Sequence, residues 1–71
     1  MNFASALINL MAGHKIARSI WKGYWVIEDG DVIMYSPKGE HMRLAGTDDI
    51  RRVLSACACD DWAVVDDRGE V

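Results

Sequence analysis

Apolar residues recur at the spacing of an α-helix near the start of the chain. These positions are Phe3, Leu7, Leu10 and Met11. Asn2 can accept a hydrogen bond from the first turn, and Gly13 is a natural place for a helix to end. The pattern therefore predicts an amphipathic helix of about ten residues.

The pattern then changes to the alternation that is typical of β-strands. The predicted strands cover 15–18, 24–28, 31–35, 41–44 and 62–65. Asp29-Gly30 separates the two longest strands and is a sequence typical of a two-residue hairpin turn. Residues 36–39 have the composition of another turn, so the third and fourth strands should form a second antiparallel pair.

A two-residue turn fixes which hairpin residues share a face of the sheet. One face is purely apolar and is expected to pack on the first helix; it carries Trp25, Ile27, Val32 and Met34. The other face carries Tyr24, Val26, Ile33 and Tyr35, with Glu28 and Asp31 near the turn. Because this second face is too apolar to lie against water alone, we expect it to meet a ligand or another subunit.

A second short helix is predicted after Thr47, which can cap it, with Asp48 and Asp49 in its first turn. Its apolar face is expected to carry Ile50, Val53, Leu54 and Cys57. The acidic segment 66–71 is expected to be frayed. Together these elements predict one α+β domain over residues 1–71, in which the N-terminal helix packs on a small antiparallel sheet beside the second helix.

Length and composition suggest that this domain needs additional stabilisation. A chain of 71 residues buries a modest core, and 51% of its residues are hydrophobic, with three Trp. We therefore expect a homodimer or a larger homo-oligomer.

The net charge, the first residues and the lengths of the apolar runs disfavour nucleic acid and membranes as partners. The net charge of -3 disfavours non-specific binding to nucleic acid, which depends on clustered cations. The first residues lack a basic leader region, and no apolar run approaches the roughly 20 residues that a bilayer requires. We expect a cytoplasmic protein without a membrane partner.

The cysteines and histidines do not have the spacing of a metal site. Cys57 and Cys59 are separated by one residue, and His14 and His41 are single, whereas structural zinc sites use paired ligands at fixed spacing. The two thiols are expected to be reduced, buried and inert. No metal and no cofactor are expected.

No combination of residues in the sequence can be recognised as the nucleophile, the general base and the electrophilic group of one catalytic site. The adjacent carboxylates Asp48-Asp49 and Asp60-Asp61 are explained by a helix start and by a turn. We therefore expect a binding protein without catalytic residues.

The segment 18–22 has the chemistry of a nucleotide site. Arg18 and Lys22 bracket the indole of Trp21, so the indole could stack on a base while the cations pair with phosphate. The alternative is that Trp21 is a core or interface residue with solvated cations beside it. Tyr24 and Tyr35, on the second hairpin face, join the set of expected ligand-binding residues.

Two stretches of the chain resemble a small, mostly phage-encoded family. The matching residues are Phe3-Ala4-Ser5-Ala6-Leu7, Leu10, Gly13-His14-Lys15-Ile16-Ala17-Arg18, Trp21, and the late Asp61-Trp62 and Val64-Val65. The family includes the Thoeris anti-defence sponge proteins, which bind cyclic ADP-ribose-type immune signals, and relatives described as CRISPR inhibitors. The middle of this chain departs from the family's longer Pro-rich and Gly-rich stretch.

The resemblance implies a helix on an antiparallel sheet, assembled into a dimer or tetramer with ligand pockets at the subunit interfaces. It implies ligand contacts for Arg18, Trp21, Asp61 and Trp62. Arg18 would bind a phosphate, Trp21 would stack on a ring, and Asp61 would either accept from a ribose hydroxyl or shape a turn.

The leading hypothesis is a phage counter-defence protein that sequesters a cyclic nucleotide signal. The alternatives are an inhibitor that binds a host defence protein, such as a CRISPR nuclease, and a homo-oligomeric accessory protein without a ligand.

Overall fold

The computed structural model describes residues 1–46 and 50–68, which form the predicted α+β fold. Its elements are α1 (Phe3–Met11), β1 (Ile16–Arg18), β2 (Tyr24–Glu28), β3 (Asp31–Tyr35), β4 (His41–Arg43), a 3₁₀ turn (Leu44–Gly46), α2 (Ile50–Cys57) and β5 (Trp62–Val64). The strands form one sheet in the order β4-β3-β2-β1-β5, and every neighbouring pair is antiparallel. In the described part of the chain, no helix is both long and apolar enough to span a bilayer.

Helix α1 has the predicted boundaries. The side chain of Asn2 accepts a hydrogen bond from the Ser5 amide at 2.9 Å and caps the first turn. Gly13 follows the helix with φ of 100°, a left-handed conformation that favours glycine. Ala6 and Leu10 are buried against the sheet, so the predicted packing of the first helix on the sheet is confirmed.

The β2–β3 hairpin forms as the Asp29-Gly30 sequence predicts. Both turn residues have positive φ, 52° and 82°, as a type I′ turn requires. Trp25 pairs with Met34, and Tyr24 pairs with Tyr35, which is the predicted register.

A single row of apolar side chains crosses the sheet on the side that the helices cover. Strand pairing places its members next to one another in the order Val64, Ile16, Trp25, Met34 and Met42. Helix α1 contacts the strands at the Val64 end of the row. Val64 and Met42, at the two ends, are 37% and 53% exposed, whereas Ile16 and Trp25 between them are buried, so the helices cover the middle of the row best.

The three Trp residues and the only Phe of the chain form one aromatic cluster in the core. The ring of Trp62 lies 5.2 Å from Phe3, 5.1 Å from Trp21 and 5.1 Å from Trp25, measured between ring centroids. Its Nε1 donates a hydrogen bond of 3.0 Å to the carbonyl of Ala56 in α2. The cluster therefore joins both helices to the sheet.

The predicted apolar face of α2 is wrong in part. Ala56 is buried and Val53 packs against the core, whereas Ile50 and Leu54 are exposed. The helix is held through Ala56, whose carbonyl accepts from Trp62, and Ile50 borders a cavity beside Val32 and Leu44 instead of entering the core. The predicted cap Thr47 and the acids Asp48 and Asp49 lie outside the described residues.

The second hairpin face is covered by its own tyrosines. The rings of Tyr24 and Tyr35 stack at 5.0 Å with an angle of 16° between them. The Tyr35 hydroxyl donates to Glu28 at 2.7 Å, although Glu28 lies at the turn end of the hairpin, so the Tyr35 ring lies along the sheet. This arrangement accounts for the burial of Ile33, which is 8% exposed.

The described part of the acidic segment is ordered by specific contacts, and the prediction of a frayed end is wrong for 66–68. Asp66 accepts hydrogen bonds from the Lys15 amide at 2.8 Å and from His14 Nδ1 at 2.7 Å. Arg68 donates to the backbone of the 19–23 connection, and its own carbonyl accepts from Lys15 Nζ at 2.8 Å. These contacts were not predictable because their partners lie about fifty residues away in the chain.

We predict that Gly23→Ala destabilises the fold by more than about 1 kcal/mol. A Cβ at this position would lie 2.1 Å from the Tyr35 carbonyl oxygen, so the start of the hairpin would have to open. Urea unfolding followed by circular dichroism measures the change. Gly46→Ala is the control, because a Cβ there meets nothing within 4 Å. Equal stability of Gly23→Ala and Gly46→Ala would contradict the close contact between residue 23 and the Tyr35 carbonyl.

Candidate functional site

A cavity of about 560 Å³ opens where the β2–β3 hairpin strands end. Its walls are the 19–23 connection, the ends of the two strands, and one side of α2. The lining residues are Arg18, Trp21, Lys22, Gly23, Tyr24, Trp25, Met34, Tyr35, Pro37, Arg52, Ser55 and Ala56. The volume falls within the range of roughly 300–1,000 Å³ that is usual for small-molecule sites.

Arg18 and Asp61 form an ion pair at the rim of this cavity. Nε of Arg18 donates to Oδ1 of Asp61 at 2.8 Å, and a terminal nitrogen donates to Oδ2 at 3.3 Å. The Ser19 hydroxyl donates to the same carboxylate at 3.0 Å. Asp61 therefore orients Arg18, which still has further N–H donors because a guanidinium carries five.

These contacts also set the pKa values of the pair. The hydrogen bond from Arg18 lowers the pKa of Asp61 below its usual value of 3.8, and the Ser19 hydroxyl adds to the effect. The same hydrogen bond raises the pKa of Arg18. Both groups are thus charged at neutral pH, and the cation at the rim is permanent.

The 19–23 connection is fixed from two sides. The Trp21 amide donates to the Arg18 carbonyl at 3.0 Å, which folds the connection back towards β1. A terminal nitrogen of Arg68 donates to the Trp21 carbonyl at 2.7 Å and to the Gly23 carbonyl at 3.1 Å. The cavity wall is therefore held in place before any ligand binds.

The Trp21 side chain packs in the core and also lines the cavity. Its ring lies 5.1 Å from Trp62 in an edge-on arrangement and 5.5 Å from Trp25 in a tilted one. The residue is only half-buried and lines the cavity with its remaining surface. Trp21 is therefore a core residue, as one interpretation predicted, and its stacking on a ligand stays a prediction.

The structure brings five of the seven expected ligand-binding residues to the cavity: Arg18, Trp21, Lys22, Tyr24 and Tyr35. The two tyrosines border it from the strand ends, since their rings lie on the sheet face opposite Trp25 and Met34.

The other two expected residues lie elsewhere. Trp62 is 2% exposed in the core, where its burial leaves no surface for a ligand. Asp61 is not among the lining residues and acts through Arg18 and Ser19. Its role as a shaper of the structure before β5 fits this geometry better than a ribose contact.

Sequence reasoning missed the contribution of α2. Arg52 and Ser55 line the cavity, as does Pro37 from the turn after β3. The apolar pattern of α2 predicted that a different face of the helix points inward, so the sequence did not indicate that Arg52 and Ser55 line the cavity. Arg68 was missed as well, because a single cation in an acidic segment has no recognisable pattern.

Three cationic side chains line the cavity of an acidic protein, and one of them, Arg18, is paired with Asp61. Arg18, Lys22 and Arg52 are three of the eight Lys and Arg residues, and the protein has a net charge of -3. No Asp or Glu is among the described residues that line this cavity. Such a site favours an anion, and its indole and tyrosines add flat apolar surface.

The cysteines are not among the residues that line the cavity. Cys57 and Cys59 are free and half-buried, so the prediction of buried thiols holds only in part. Partial burial raises the pKa of the Cys57 thiol, which disfavours the nucleophilic thiolate. Within residues 1–46 and 50–68, no group of three His, Cys, Asp or Glu side chains is arranged to hold a metal ion.

We predict that the fold loses stability as pH falls below about 4. The folded-state pKa values of Asp61 and Asp66 are held below 3.8, mainly by the hydrogen bonds from Arg18 and from the Lys15 amide. Their stabilisation is complete above the unfolded-state pKa and disappears as pH falls through the folded-state values. Thermal unfolding measured from about pH 7 to pH 2 should show this decline.

The variant Asp61→Asn separates this effect from general acid denaturation. Its melting temperature should be lower at pH 7, and its decline with acid should be shallower than that of the unmodified protein. Asp60→Asn is the matched control, because Asp60 is the exposed neighbour with the same charge. The same pH dependence in both variants would refute the role given to the Arg18–Asp61 pair.

Comparisons with known proteins add no further constraint on this site. No protein-family model matches the chain, and no match is found among curated proteins or among solved structures.

Proposed function

We propose that this protein binds, without converting it, a small anionic ligand of the nucleotide class in the cavity at the hairpin end. The observation that carries the proposal is the placement of Arg18, Lys22 and Arg52 around an indole in an otherwise acidic chain. Cations recognise phosphate by charge-assisted hydrogen bonds, and indole stacks on a flat ring. A nucleotide has both features.

The resemblance of the chain termini to sponge proteins narrows the proposal to cyclic ADP-ribose-type signals. Sequestration of such a signal requires a preformed site and no chemistry. The fixed 19–23 connection supports the first requirement, because a wall that is ordered in advance lowers the entropic cost of binding. A phage counter-defence role in the cytoplasm of a bacterial host follows from this ligand.

The lining chemistry supports binding over catalysis. Among the described residues that line the cavity there is no His, Cys, Asp or Glu, and the side chains of general-acid or general-base type there are Lys22, Tyr24 and Tyr35. The carboxylates beside the cavity are engaged, Asp61 by Arg18 and Ser19 and Glu28 by Tyr35.

Native mass spectrometry with a panel of cyclic ADP-ribose isomers and cyclic dinucleotides tests the proposal directly. We expect the protein to gain the mass of one panel member. No mass gain with any member, confirmed by calorimetry at millimolar ligand, would overturn the proposal.

We predict that Lys22→Ala weakens binding of that ligand about tenfold or more. Lys22 is exposed and lines the cavity, so its removal deletes one phosphate contact with little effect on the fold. Lys38→Ala removes the same charge from an exposed turn position outside the lining and serves as the control. Equal losses in the two variants would show that only net charge matters.

Self-assembly is a second candidate function, which the surface of α1 favours. Residues 1–13 contain no charged side chain, and Ile8 and Met11 are 70% and 71% exposed on the outer side of the helix. Large uncharged surfaces of this kind are typical of protein contacts. An uncharged surface also meets its own copy without the like-charge repulsion that the acidic parts of the chain would cause.

We predict that Ile8→Lys shifts the protein towards the monomer in analytical ultracentrifugation, because two copies of the new cation would repel across a shared helix surface. Ile50→Lys introduces the same change at an exposed apolar position of α2 and should leave the assembly intact. An unchanged mass distribution in Ile8→Lys would exclude α1 as the contact.

A further inference from the structure

A second, smaller cavity of about 180 Å³ lies between α2 and the sheet; we call it the inner chamber. Its floor is formed by Trp25, Met34 and Met42, which are adjacent members of the apolar row across the sheet. Its roof is formed by Arg52, Val53 and Ala56 of α2. Thioether, indole and aliphatic groups thus make up most of its surface.

The inner chamber adjoins the larger cavity. Trp21, Trp25 and Ala56 are among the residues that border both spaces. Lys22 borders only the larger cavity, and Val53 borders only the inner chamber. Arg52 borders both spaces, whereas Arg18 and Lys22 border only the larger one, so the hairpin end is the more cationic part and the space beneath α2 is mostly apolar.

The inner chamber exists because α2 stands away from the sheet. The helix is anchored at Ala56, one of the smallest side chains, and the larger Ile50 and Leu54 are exposed. Val53 and Ala56 are too small to fill the space over Met34 and Met42, and Arg52 borders it. An apolar space without an occupant leaves its lining without van der Waals partners, so a fitting group would gain those contacts.

We propose that the inner chamber receives the flat ring of the ligand, while the cations of the larger cavity hold its phosphates. This inference rests on the proposed function and assigns the parts of the ligand to the parts of the site. The volume is below the usual range for a whole small molecule, so it suits one ring system without its sugar and phosphates. Sulfur and indole surfaces at the floor are favourable partners for an aromatic ring.

The ligand class is therefore a base-bearing phosphate compound, as opposed to a sugar phosphate or an inorganic anion. Stacking of a base on aromatic side chains contributes roughly 1–3 kcal/mol, equivalent to about a 5- to 150-fold difference in Kd. We expect a difference of this size between cyclic ADP-ribose and inorganic pyrophosphate, because the two share the pyrophosphate group and only the first carries a base.

Calorimetric titration of both probes into Val53→Phe tests the inference. The added ring occupies the inner chamber, so cyclic ADP-ribose should bind at least about fivefold more weakly, whereas pyrophosphate should bind with unchanged affinity. Leu54→Phe is the matched control, since it adds the same ring on the exposed side of α2 and should leave both affinities unchanged. Met42→Phe repeats the test from the floor and replaces Val53→Phe if that variant does not fold.

The outcomes separate this inference from the proposed function. Unchanged binding of cyclic ADP-ribose by folded Val53→Phe or Met42→Phe would overturn the inner chamber as the ring site and leave the cationic cavity standing. Equal affinities of the unmodified protein for the two probes would do the same. Binding of neither probe by the unmodified protein would overturn this inference, and the proposed function falls with it only when no other member of the panel binds.

Discussion

The indole of Trp62 joins five parts of the chain at one point. Its ring contacts Phe3 of α1, Trp21 of the 19–23 connection and Trp25 of β2, and its Nε1 donates to the Ala56 carbonyl of α2. A domain of this size has a small core, so one large buried side chain accounts for much of its cohesion. The position of each cavity wall depends on this contact, because the connection, β2 and α2 are all held by it.

The site follows from the unequal way in which the two helices use the sheet. Helix α1 inserts Ala6 and Leu10 and packs closely, whereas α2 meets the sheet through Ala56 and leaves space beside it. Charged side chains then fix the rim through hydrogen bonds. Asp61 orients Arg18, and Arg68 donates to the carbonyls of the 19–23 connection. The closely packed side of the domain under α1 thus contributes stability, and the loosely packed side under α2 leaves space for the cavity.

Local patterns predicted the fold better than the site. The Asp29-Gly30 turn determined the hairpin register, and the cation–indole segment at 18–22 lies in the cavity wall because its members are neighbours in sequence. The orientation of α2 could not be predicted in the same way, since apolar periodicity favours the larger Ile50 and Leu54 over a small buried alanine. The contacts of Arg68 join residues that are remote in sequence, and no local pattern encodes them.

The attachment of α2 has an evolutionary consequence. Its main tie to the core is the carbonyl of Ala56, a backbone group that is present whatever the side chain, so the helix can be retained while most of its surface residues change. Substitutions at positions such as Val53 would alter the shape of the roof without disturbing the strand pairing beneath it. The sheet and its register can therefore stay the same while the lining of the cavity changes through a single short helix.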